Sequence, residues 1–163
     1  MKRLLAAVAM VLSLAAYPAS ANIDFSLSGA TLSDGGTLSG TFTTNDALNA
    51  LLDYDFTTSG GTLTGFEYTP ATAPVNLSSL PSIIVVETAA LDHILEITFQ
   101  GGLTATGATI LQGQFDSFEQ VGTDHRQINA GEAVVAAVPE PSTIALLAIG
   151  ALGLLTGVRG RRA

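Results

Sequence analysis

A two-residue beat runs through this chain and limits most of it to strands. Ile23, Phe25 and Leu27 alternate with Asp24, Ser26 and Ser28, the spacing of a strand with one buried face. The beat returns with Leu38, Gly40 and Phe42 set against Thr37, Ser39, Thr41 and Thr43, and again with Leu52, Tyr54 and Phe56 set against Asp53 and Asp55. Asp34-Gly35-Gly36, Ser59-Gly60-Gly61, Gly101-Gly102 and Gly107 punctuate it, because glycine accepts the positive φ that hairpin turns need. Residues 83–86 are a β-branched run and residues 94–99 continue the pattern. Their apolar density predicts the two central strands, the first of them buried on both faces. Further strands are expected over 62–68, 109–119 and 132–138, a loop or short helical turn at 45–49, and a proline-rich surface loop at 69–81. No amphipathic run of helical length competes between 22 and 137. The expected fold is all-β, an antiparallel β-sandwich or barrel of about eight strands, followed by one C-terminal transmembrane helix.

Gly35-Gly36-Thr37-Leu38-Ser39-Gly40 is echoed by Gly60-Gly61-Thr62-Leu63-Thr64-Gly65. Each copy is expected to enter a strand from its Gly-Gly turn. Two copies are one turn solution reached twice rather than a repeat array.

Both ends of the chain read as processing segments. Residues 1–21 have the order of a secretory signal: Lys2 and Arg3, an apolar run over 4–14, then Ala19-Ser20-Ala21 as a small-x-small cleavage site. Signal peptidase is the partner this implies, and Asn22 the new N-terminus. The chain has no Cys. That excludes a lipid anchor on cysteine, disulfides and thiolate metal sites, so a domain over 22–137 must stand on packing and hydrogen bonds alone. Thirteen acids stand against one base, Arg126, within 22–137, a net charge of −12. Such a surface repels nucleic acid and anionic lipid; its favourable partners are cations, basic proteins or neutral polymers.

Residues 138–163 have a different character. Val138-Pro139-Glu140-Pro141-Ser142 precedes the uncharged apolar run 143–158, and Arg159, Arg161 and Arg162 close the chain. The run is sixteen residues, about 24 Å of helix, short of the ~30 Å hydrocarbon core unless the arginines snorkel and the bilayer thins. The arginines are expected to anchor the cytoplasmic side, with the domain outside. Motif, apolar run and basic end together resemble the PEP-CTERM sorting signal of Gram-negative bacteria. The resemblance implies a membrane-embedded exosortase that recognises and processes the tail, transient inner-membrane anchoring, and a final place in the outer envelope or extracellular matrix. The family commonly accompanies exopolysaccharide and biofilm production. The stretch 33–42 is also similar to Thr/Gly-rich domains found ahead of such tails, which carry no activity over to any residue of this chain.

Few residues of the domain suggest chemistry. Asp92-His93 and Asp124-His125 are adjacent pairs; neighbours in a strand point to opposite faces, so neither pair is a dyad by itself. Both are expected at loop ends. Asp53 and Asp55 share a strand face about 7 Å apart, where they could hold a cation, but no EF-hand loop or calcium-binding nonapeptide surrounds them. No Gly-x-Ser-x-Gly elbow or phosphate loop is present. Phe42, Tyr54 and Phe56 sit in apolar patterns and are expected in the core rather than as sugar platforms. The expectation is therefore a protein without catalytic residues, cofactor or metal, serving as a cell-surface or exopolysaccharide-matrix protein. A carbohydrate-binding or adhesive module is the alternative, and a secreted hydrolase ranks last.

Overall fold

The computed structural model describes residues 22–113 and 116–136. Ten strands follow one another among them: β1 (Ile23–Leu32), β2 (Thr37–Thr44), β3 (Leu51–Ser59), β4 (Glu67–Tyr68), β5 (Val75–Asn76), β6 (Ile83–Glu87), β7 (His93–Thr98), β8 (Gly107–Thr109), β9 (Phe118–Val121) and β10 (Asp124–Val135). They form one antiparallel sheet in the order β4-β3-β2-β1-β10-β9-β7-β6-β5, with β8 also on β10. The fold is all-β as expected, and eight strands remain once the two-residue β4 and β5 are set aside. No helix among the described residues is long and apolar enough to cross a membrane. The signal segment and the C-terminal helix expected from the sequence lie outside the described residues.

The two-residue beat places β1, β2 and β3 as a meander. Phe25, Phe42 and Tyr54 fall in one cross-strand row, and all three are buried. Gly40 stands in the next row between Leu27 and Phe56. A Cβ there would lie 2.0 Å from the Asp55 carbonyl, and its φ of 138° also favours glycine.

The sheet cannot be flat. β4 and β5 stand at its two ends, yet only residues 69–74 join them. Six residues reach about 20 Å, whereas nine strands side by side span roughly 40 Å. The sheet therefore curls into a sandwich-like half-barrel. Phe42 and Phe99 meet across the fold with ring centroids 6.1 Å apart, and Ile84, Val86, Leu95, Ile97 and Ile128 fill the interior. The joining loop is drawn in: Ala73 is buried and its carbonyl accepts the Tyr54 hydroxyl.

Several expectations change. The strand at the centre of the sheet is β10, while β6 and β7 lie second and third from one end. In β6 only one face is fully buried, by Ile84 and Val86, and Ile83 and Val85 are half-covered. Residues 69–81 are not simply a surface loop, since they contain β5 and the buried Ala73 and Leu80. The region 62–68 forms a strand only at Glu67–Tyr68, and 109–119 divides between the ends of β8 and β9. Leu52 does not share the inner face of Tyr54 and Phe56. A register shift between Thr43 and Thr44 opposite it turns Leu52 outward, 49% exposed.

Candidate functional site

The two ends of the domain lie side by side. Phe25 pairs with Val135 and Ser26 with Val134, and the Ala136 N–H donates to the Asp24 carbonyl at 2.8 Å. The chain thus leaves the fold next to where it entered, at Asn22. Ile23 opposite Thr44, and Thr44 opposite Leu51, bring loop 45–50 to this same pole of the sheet. Asn45 closes that loop: its side-chain carbonyl accepts the N–H groups of Asn49 at 3.0 Å and Ala50 at 3.2 Å. Pro139 follows Ala136 by three residues. The expected motif residues Val138 to Ser142, the arginines 159, 161 and 162, and the cleavage residues Ala19 and Ala21 lie outside the described residues. Asn22 is exposed at the foot of β1.

At the opposite pole the two copies of the glycine echo touch. A Cβ on Gly36 would lie 2.9 Å from the carbonyl oxygens of both Ser59 and Gly60, so only glycine allows the turns to approach this closely. Only the first copy leads directly into a strand. In the second, the N–H groups of Thr62 and Leu63 donate to Asp34 Oδ2 at 2.8 and 3.1 Å, which takes them out of any sheet ladder.

Arg126 joins these turns to the interior. Its side chain is 1% exposed, Nη1 donates to Asp34 Oδ2 at 3.1 Å, and Nε donates to the fully buried Glu119 at 2.5 Å. Nη1 also meets the Gly60 carbonyl at 2.9 Å. The other Glu119 oxygen accepts the hydroxyls of Thr58 at 2.8 Å and Tyr68 at 2.9 Å. Burial works against a charged Asp34, but backbone donors at Leu63 and Gly36, Arg126 and the Thr62 N–H outweigh it and hold its carboxyl well below the usual range. Burial, reinforced by the Glu119 charge, pushes the Tyr68 hydroxyl far above its ordinary value and keeps it a donor. Both carboxylates have their hydrogen bonds within the fold, so the cluster is suited to holding strands and turns together. In the sequence Arg126 stands out as the lone base of residues 22–137, but nothing there places it at a hub. The available signal is the imbalance itself, since a single guanidinium among thirteen acids is strongly drawn to pair.

The remaining candidates do not converge. Asp53 and Asp55 lie on the outward face of β3 and are exposed. No group of three potential metal ligands occurs among the described residues. His93 opens β7 and His125 is the second residue of β10. His93 stacks on Phe66 at 4.0 Å, and His125 lies against Phe118 at 5.7 Å. Phe42, Tyr54 and Phe56 are in the core as expected, and no Phe or Tyr side chain among the described residues is exposed.

A family model of the PEP-CTERM protein-sorting motif matches residues 137–162. The match begins at the residue after Ala136, which makes the last backbone hydrogen bond of the sheet among the described residues. Neither a curated protein nor a solved structure matches this chain. The chain therefore carries a PEP-CTERM sorting motif directly behind a β domain, and that motif implies export, transient membrane anchoring and processing by an exosortase.

Proposed function

We propose that the chain is a non-enzymatic matrix protein of the cell surface, delivered by its sorting tail and released from the membrane when the tail is processed. The observation that carries this reading is the position of the motif, which starts one residue after Ala136, itself still hydrogen-bonded to β1. Ending the chain before it keeps all ten strands of the described residues. In this reading the domain is the cargo and the tail is the address.

The chemistry of the domain supports a passive role. The two carboxylates paired with Arg126, Asp34 and Glu119, are taken up by it and by the neighbouring turns and hydroxyls, so neither is free for the acid–base work that catalysis requires. Arg126, the one base in 22–137, is buried, so the exposed charges of this region are carboxylates. A neutral polysaccharide suits such a surface, and an anionic polymer is repelled unless cations bridge the two. The lack of an exposed Phe or Tyr face among the described residues weighs against the stacking mode of sugar recognition and so against a dedicated carbohydrate-binding module.

The test is co-sedimentation of purified residues 22–137 with the producing cell's own exopolysaccharide, with polymer length measured before and after. The expected result is protein in the pellet and polymer of unchanged length. Shortened polymer overturns the non-enzymatic reading, and protein left wholly in the supernatant overturns the matrix role.

A further inference from the structure

We infer that the pole carrying Asn22, loop 45–50 and Ala136 is a docking surface for the membrane-embedded enzyme that processes the tail. This rests on the sorting reading and adds which face of the domain meets the enzyme. Reach selects the pole. Ala136 is tied to β1 through the Asp24 carbonyl, and Pro139 is three residues further on. Three residues extend at most about 11 Å. An enzyme that grips Pro139-Glu140-Pro141 while the domain is folded must therefore sit against this pole. The opposite pole, with the paired glycine turns, is a strand length away. The ten residues of β1 span about 33 Å.

The surface chemistry of the near pole indicates what it fits. Asp24 and Asp53 are exposed in one cross-strand row on either side of Thr43, whose hydroxyl donates to Asp24 at 2.6 Å. Asp46 is exposed in the adjoining loop. Leu52, turned out by the bulge, is 49% exposed beside them. β4 pairs only with Phe56 and Thr57, so the neighbouring edge of β3 from Leu51 to Asp55 is free of a strand partner among the described residues. Carboxylates beside an exposed leucine on an open edge fit a protein rim with Lys or Arg around an apolar patch. They do not fit an anionic lipid surface, which repels them.

The experiment uses the full chain in cells that co-express a tagged exosortase. A photo-crosslinking amino acid is placed at Ala47 on the near pole, at Thr64 beside the far turns, or at Ser142 in the tail. Ala47 and Thr64 are both exposed. A crosslink to the tagged enzyme is expected from Ala47 and Ser142 and not from Thr64. In parallel, Leu52→Asp is expected to slow tail removal about fivefold, the effect of losing one interface contact, with the melting temperature of the domain unchanged. Equal or stronger crosslinking from Thr64 overturns the assignment of the pole. Crosslinking from Ser142 alone, or tail removal at the normal rate in Leu52→Asp, overturns the docking contact and leaves the sorting reading intact. Silence from all three positions removes the sorting reading, and the docking surface with it.

Discussion

Arg126 binds three separate parts of the chain: the first glycine turn through Asp34, the second through the Gly60 carbonyl, and β9 through Glu119. A buried ion pair offsets its desolvation cost only through good geometry and further hydrogen bonds to its charged groups. Arg126→Ala leaves the fully buried Glu119 charge unpaired and should destabilise the domain by about 3–5 kcal/mol in urea unfolding of residues 22–137. Exchanging Arg126 and Glu119 together for Met and Leu should cost less than the sum of the two single changes. Asp34 gives the cluster a pH signature. Its folded carboxyl titrates below the unfolded value of about 3.9, so the unfolded chain binds more protons between the two. Its stabilising contribution is complete above the unfolded value and is lost as pH falls towards the folded one. Unfolding measured from pH 6 to pH 2 should therefore show stability falling below about pH 4, with a shallower fall in Asp34→Asn. An equally steep fall in that variant would place the acid sensitivity elsewhere.

Among the strands, β10 has the widest responsibility. Its first four residues pair with β9, its later residues with β1, and three of these also with β8. Ending the chain at Ala136 should leave the circular dichroism and melting of the domain intact, whereas ending it at Ala130 should abolish cooperative melting. A chain ending at Ala130 that melts like the longer one would show that β10 does not hold the sheet together. The meander β1–β3 is legible in the sequence because one face is buried and the other wet, so the beat survives in the residue types. The order of the sheet is not, because apolar density reports burial and not position. Residues of β6 and β7 are covered by the curl of the sheet although they lie near its end. Leu52 departs from its expected face because the bulge is a matter of partner register, which a single strand's sequence does not record. The Thr-rich run 62–66 has the residue types of a ladder, yet Asp34 claims its N–H groups at Thr62 and Leu63.

At the scale of the molecule the most readable part is the simplest one. A sorting signal is local and linear, so the motif, apolar run and arginines declare themselves in order, and the family match over 137–162 agrees. The charge cluster is hidden for the opposite reason: Asp34, Thr58, Tyr68, Glu119 and Arg126 are scattered in sequence and meet only when the sheet curls. Both ends of the domain emerge together, so a domain held by its tail presents one pole to the membrane and the other to the outside. Sorting by the tail is tested most directly by the fate of Glu140→Ala in the producing cell, followed by fractionation and intact mass. The unaltered chain is predicted outside the inner membrane with its tail removed, and the Glu140→Ala chain in the inner membrane with its tail intact. A Glu140→Ala chain found at the surface without its tail would contradict sorting through this motif.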